Sequence, residues 1–150
     1  MNKLTLFAAL TFSALAFAGN PTTSKLEVKQ SDLTWAQPFG PKGPSVGFVE
    51  GKFGDKQPAS FFVKVPAGGD SGWHFHDESY QGVVLAGTFT AQQSGDAAET
   101  KLPPGTYYLQ PAKTVHRNGC LKGTDCLIYV HFPNGADSTP STREGQALKK

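Results

Sequence analysis

After residue 30 no stretch of the chain holds apolar residues at helical spacing for three turns. Instead there are short runs rich in β-branched and aromatic residues, each ended by turn-forming residues, the mark of a sandwich or barrel. Phe48–Phe53 is a weak run, and Ala59–Val65 is a stronger one that stops at Pro66-Ala67-Gly68-Gly69-Asp70. Trp73–His76 is short, Tyr80–Ala91 is long, and Gly105–Gln110, Thr114–Arg117 and Leu127–Phe132 complete the set. The 17 Gly and 11 Pro supply the breaks between them. A chain of 150 residues with this pattern predicts one all-β domain over residues 32–133. Residues 19–31 read as a polar leader. Residues 134–150 carry Pro, Gly, Ser, Thr and Lys with little apolar content, which predicts a flexible tail.

The first segment breaks the pattern. Lys3 precedes an almost wholly apolar stretch, Leu4–Ala16, and Ala16-Phe17-Ala18 offers a small-x-small cleavage site before Gly19. Ala14-Leu15-Ala16 is a second match. The apolar run is shorter than the roughly 20 residues a membrane-spanning helix needs, so residues 1–18 read as a cleaved secretory signal. The expected location is the periplasm or the exterior, with no stable membrane association after cleavage.

Composition then narrows the function classes. Cleavage removes one basic residue, Lys3, from the 14 and none of the 12 acidic ones, leaving a net charge of about +1. That provides no broad field for nucleic acid or anionic lipid. The only two cysteines, Cys120 and Cys126, both lie in the exported part. An even pair close in sequence in an oxidising compartment reads as a disulfide. The alternative is a thiolate metal pair, but five intervening residues exceed the usual two to four of a zinc hook. No nucleophile elbow, phosphate loop or helical metal motif occurs.

The histidines carry the candidate chemistry. Alternate residues of a strand share a face, so His74 and His76 of Trp73-His74-Phe75-His76 point the same way, roughly 7 Å apart along the backbone. Two imidazoles on one face can chelate a divalent transition metal such as Zn, Fe, Mn or Ni. Alone, such a pair is equally consistent with a solvated strand face. His116, about forty residues later at the start of another run, supplies a third imidazole and completes a facial set. His131, in Leu127-Ile128-Tyr129-Val130-His131-Phe132, reads as a structural strand histidine, and Asp77 and Glu78 as turn residues.

With these residues in place the chain resembles the cupin superfamily. The first cupin motif sets a glycine before His-x-His, an acidic residue four positions after the second His, and a later glycine. Gly68 or Gly69, His74-Phe75-His76, Tyr80 in the acidic slot and Gly87 stand at those places. The second motif is matched by Gly105, Pro111 and His116, with Lys113 where the motif has glycine and Asn118 earlier than the usual asparagine. More narrowly, residues 32–133 resemble an exported cupin group without assigned function, related to the cupin of the ChrR anti-sigma factor.

The resemblance implies a small jelly-roll barrel (a double-stranded β-helix) with a metal at His74, His76 and His116, and a modest expectation of a homodimer. In many cupins the acidic residue is a fourth ligand. Tyr80 departs from this, since a neutral phenol with a pKa near ~10 is a poor ligand. Tyr80 is therefore expected beside the metal site as an acid, base or hydrogen-bond donor, with Glu78 and Gln81 as the alternative additional ligands. Three neutral imidazoles leave the full metal charge uncompensated, which favours a small polar or anionic ligand. Three readings remain: a metal-dependent oxygenase, isomerase or lyase, a non-catalytic binding or sensing protein, and a metal-free ligand-binding shell.

Overall fold

A computed structural model describes residues 27–40 and 43–148. The proposed signal and the first part of the leader lie outside the described residues. After a single 3-10 turn at Gln30–Asp32, eleven strands follow: β1 Trp35–Ala36, β2 Ser45–Glu50, β3 Ala59–Val65, β4 His74–Phe75, β5 Tyr80–Ala86, β6 Phe89–Gln93, β7 Thr100–Leu102, β8 Tyr107–Gln110, β9 His116–Cys120, β10 Cys126–Phe132 and β11 Thr139–Pro140. They form two sheets, in the orders β1-β2-β3-β10-β5-β8 and β11-β4-β9-β6-β7. All the strand pairs are antiparallel.

The period-two pattern decides which side chains make the interior. In β10 Cys126, Ile128, Val130 and Phe132 are buried while Leu127, Tyr129 and His131 are only half-buried on the other face. Phe61 and Val65 of β3, Val84 of β5 and Phe89 of β6 meet them between the sheets. Aromatic contacts run from Phe48 through Phe61 to Phe132, with ring centroids 4.9 and 5.8 Å apart. Trp35 packs by the start of the fold, with the Lys64 ammonium 3.8 Å above its ring.

Two expected runs divide differently in the structure. Tyr80–Ala91 is not one strand: it breaks at Gly87 and passes from the first sheet (β5) into the second (β6). Gly87 has φ +72°, and a Cβ there would lie 2.7 Å from the Asp125 carbonyl and 2.8 Å from Cys126 Sγ. Only glycine meets both demands. The run expected to end at Arg117 continues to Cys120, because hydrogen bonding to β6 carries it to Phe89↔Cys120. Cys120 and Cys126 form a disulfide with Cα atoms 5.8 Å apart. It ties β9 of one sheet to β10 of the other.

The flexible tail is the clearest correction. Residues 136–148 are folded onto the barrel: β11 pairs with β4, Ser141 bridges to Ala147 and Ala136 bridges to Phe53. Ala136 and Ser141 are buried. Composition misled because this segment is held by backbone hydrogen bonds, which a polar sequence supplies as well as an apolar one.

The Gly87 crossing gives a direct test. Gly87→Ala should destabilise the protein by at least about 2 kcal/mol in urea unfolding, from positive φ and steric overlap together. Gly105→Ala, at φ +87° with nothing within 4 Å of the new Cβ, should cost roughly 1 kcal/mol from backbone conformation alone. Equal losses would show that the close approach at Gly87 is unimportant.

Candidate metal centre

Strand alternation and one cross-strand pair assemble the histidines. His74 begins β4 and His76 follows two positions later, on the same face. His116 begins β9 and lies directly opposite His74 in the β4–β9 ladder. The ring centroids are 4.9 Å (His74–His76), 4.3 Å (His74–His116) and 5.2 Å (His76–His116) apart. One ring nitrogen from each lies within 4.8 Å of the others. All three side chains are buried, His116 to 1% exposure.

Backbone carbonyls orient each ring. His74 Nδ1 is 2.9 Å from the Gly72 carbonyl, His116 Nδ1 is 2.8 Å from the Thr114 carbonyl, and His76 Nδ1 contacts the Asp137 carbonyl. A carbonyl can only accept, so each Nδ1 carries the proton and donates it. The Nε2 lone pairs are then left for a metal. Two nitrogens on one zinc ion at 2.0–2.1 Å can be no more than about 4.2 Å apart. A small ring adjustment brings this set within that limit, so the residues fit a divalent transition metal.

The electrostatics favour the same state. Burial pushes His76 and His116 down to about 3, with His74 and His116 repelling a proton on His76, and His74 one on His116. Burial also lowers His74. The three rings are therefore neutral across the physiological range, the form that binds metal.

Tyr80 of β5 reaches the cluster from the other sheet. Its hydroxyl is 3.4 Å from His116 Nε2 and 3.3 Å from Asn118 Oδ1. Its ring stacks on Phe132 at 4.7 Å and meets His76 edge-on at 4.9 Å. Burial raises the phenol well above its usual value, so it stays protonated and remains a donor. The two alternative ligands stand elsewhere. Glu78 accepts a hydrogen bond from Asn134 Nδ2, and Gln81 takes one from the Tyr107 hydroxyl. Alternation explains Gln81, whose neighbour Tyr80 points inward. His131 sits on the outer face of β10, 2.9 Å from Ser60 Oγ.

Sequence reasoning undervalued three contributors. Asn118, noted only as an early asparagine, lies two positions after His116 and so shares its inward face. Its Nδ2 donates to the Thr90 carbonyl, which turns its oxygen toward Tyr80. Ser71 donates to nearby backbone and accepts the Asn118 N–H. Lys113, in the motif's glycine place, adopts φ 59° and donates its N–H to the His76 carbonyl at 2.7 Å. That bond joins the two motif segments and holds a lysine where glycine would be easier.

Between the sheets the cluster faces an interior cavity of about 70 Å³. Its walls include Val46, Phe61, Val65, Phe89, Ile128 and Val130, while His74, His76, Tyr80, Asn118 and Ser71 bring polar groups to it. Among the described residues no charged side chain lines it.

Residues 61–132 match the cupin domain family, and the paired antiparallel sheets have the matching architecture. The barrel has the cupin fold. Solved structures with this fold include the polyketide cyclase RemF from Streptomyces resistomycificus, 18% identical over 71% of this chain and 78% of that one, with a TM-score of 0.61. The DMSP lyase DddQ from Ruegeria pomeroyi is 18% identical over 77% and 64% of the two chains, with a TM-score of 0.63. The Rhodobacter sphaeroides complex of SigE with the anti-sigma ChrR matches at 16% identity over 69% of this cupin and 50% of that chain, with a TM-score of 0.55. Among curated proteins none matches the sequence.

Neutral buried imidazoles make stability depend on pH. The unfolded chain binds protons below about 6.5, whereas folded His76 and His116 resist them to about 3. Stability is thus present in full above pH 6.5 and falls as the pH drops toward 3. Metal-stripped protein should lose roughly 2 kcal/mol for each of these two histidines, about 4 kcal/mol in all, between pH 7 and pH 5. Urea midpoints at the two pH values measure it, with the His74→Gln, His76→Gln, His116→Gln triple variant as the insensitive reference. Identical pH dependence in both proteins would refute buried neutral imidazoles.

Proposed function

We propose that this exported cupin binds a divalent transition metal through Nε2 of His74, His76 and His116, and with it a small molecule that has an oxyanion head and an apolar body. The observation that carries this is the convergence of three carbonyl-oriented imidazoles on an apolar cavity. The sequence alone favoured a small polar or anionic ligand. The walls favour a compact hydrophobic one with its polarity at one end.

The metal would supply Lewis acidity and a positive charge at the head group. The chain supplies the rest. The Tyr80 hydroxyl, which gives its single proton to Asn118 Oδ1 in the structure, would turn it to an oxygen held beside His116. The valine, isoleucine and phenylalanine walls exclude water, which strengthens every polar contact at that pole. Among the described residues the cavity lining contains no carboxylate or lysine to serve as a base, so binding is the primary reading. Turnover is the second reading: an apolar site with a proton donor beside the imidazoles suits lyase or cyclisation chemistry, and RemF and DddQ are a cyclase and a lyase of the same fold.

Export agrees with the Cys120–Cys126 disulfide, since such bonds persist in oxidising compartments. Among the described residues no helix is long and apolar enough to cross a membrane.

Metal analysis of protein isolated without a histidine tag should find one divalent ion per chain, and His74→Ala, His76→Ala or His116→Ala should each remove most of it. Acetate, propionate and butyrate should bind the loaded protein with rising affinity, by up to about 0.8 kcal/mol per added methylene. Tyr80→Phe should retain the metal and weaken butyrate binding by roughly 1.5–3 kcal/mol, the worth of one charge-assisted hydrogen bond. A triple-alanine variant that keeps stoichiometric metal would refute the centre. A flat carboxylate series would refute the ligand class.

A further inference from the structure

The three histidines are not held alike. His74 and His116 donate to carbonyls two residues earlier in their own segments, Gly72 and Thr114. His76 donates to Asp137, 61 residues away, in the segment that follows the last large strand. Two rings are oriented locally and the third by a distant part of the chain.

That distant part grips the whole His-x-His segment. Ser141 N–H donates to the Trp73 carbonyl at 2.9 Å, Pro140 pairs with His74, and Thr139 pairs with Phe75. The Asp137 carbonyl takes His76, and Asp137 Oδ2 accepts the Asp77 N–H at 2.9 Å. Five consecutive residues, 73–77, thus have a partner between 137 and 141. On its other side β4 has one register pair with β9, His74↔His116. So β4 depends on this segment for most of its lateral support.

Further contacts anchor both ends of the segment. Ala136 is buried, and its carbonyl accepts the Gly54 N–H at 2.9 Å. Arg143 donates through Nε to the Ser94 carbonyl at 3.0 Å and through Nη2 to the Asp96 carbonyl at 2.8 Å. Its guanidinium lies 5.2 Å from the Trp73 ring, on the side of β4 away from the imidazoles.

We propose that residues 134–148 form a strap that completes the metal centre, with Asp137 as the positioning residue for His76. Metal binding and strap docking are then coupled, each favouring the other by the same factor. With the strap docked, His76 Nε2 points at the other two imidazoles. With the strap released, His76 loses its acceptor and β4 loses its outer partner, leaving two oriented ligands. The proposal rests on the metal reading of the site.

Zinc titration against a competing chelator, on the full chain, tests it. Asp137→Ala keeps the backbone carbonyl that takes His76 but removes the Oδ2 acceptor of the Asp77 N–H, so it loosens the strap and should weaken zinc binding roughly three- to tenfold, the scale of one lost hydrogen bond. Asp137→Asn keeps an oxygen for the Asp77 N–H and should stay within roughly threefold of the parent. Arg143→Ala touches no imidazole, yet should weaken zinc in the same direction as Asp137→Ala. Circular dichroism establishes that each variant is folded, and Arg143→Ala carries the test should Asp137→Ala fail to fold. In the parent, zinc should slow hydrogen exchange at the Ser141 and Asp77 amides. Unchanged zinc affinity in Asp137→Ala and Arg143→Ala, or Ser141 exchange indifferent to zinc, overturns the strap while leaving the metal reading intact. A parent protein that takes up no zinc or other divalent transition metal overturns both.

Discussion

Three imidazoles buried against one another set the terms for everything around them. Each ring has one N–H and one lone pair, and a buried polar group left unpaired costs about 1–3 kcal/mol. The N–H side is met in all three by a backbone carbonyl. That choice forces the three lone pairs to converge, where they have almost no donor. The Tyr80 hydroxyl stands 3.4 Å from one of them, but its single proton is also directed at Asn118 Oδ1. Asn118 has already committed its amide N–H to Thr90, so its oxygen can only accept. The cluster therefore has a surplus of acceptors that burial keeps from being protonated, and one divalent cation could satisfy all three lone pairs at once.

The barrel is arranged to hold that surplus in place. β9 has His116 at one end and Cys120 at the other, so the strand that delivers the third imidazole is fastened to the opposite sheet at its far end. Gly87 passes the same disulfide as the chain crosses between sheets, which is why a methyl there would strike Cys126. Between the fastened end and the imidazoles lie the inward residues of β3, β6 and β10, a close-packed wall with a small cavity. Chain reversals and one covalent link fix the sheet separation, and the sheet separation fixes how near Tyr80 of one sheet comes to His116 of the other.

Much of this was legible in the sequence because period-two alternation is local. The His74–His76 shared face, the inward Tyr80 with outward Gln81, and the burial of alternate residues in Leu127–Phe132 all follow from strand geometry and reappear in the structure. The third imidazole needed the motif resemblance, since nothing local says that His116 lies opposite His74. What escaped was held by backbone rather than by side-chain pattern. β11 contains only Thr139 and Pro140, and no hydrophobic alternation announces it. The carbonyl of Asp137 orients His76 regardless of its side chain, so no residue type could have advertised the contact. Asn118 was within reach, since the alternation that placed His76 from His74 places Asn118 from His116.

Tyr80 changes the charge balance more than the geometry. A carboxylate in its place would give the centre a permanent counter-charge, lowering a divalent metal's net charge to +1. The phenol instead stays neutral, because burial raises its pKa, and among the described residues the surrounding walls bring no acid. An uncompensated divalent ion in an apolar cavity is costly to bury. In the proposed centre the compensating charge must come from outside the chain. An anionic head group then does two things at once: it takes the open coordination position and it relieves the buried charge. Metal and anion should consequently strengthen one another's binding, and a neutral molecule of the same shape gains no such advantage. With a hydrogen-bond donor where the motif it resembles has an acidic residue, the proposed centre would be completed by what it binds rather than by the chain itself.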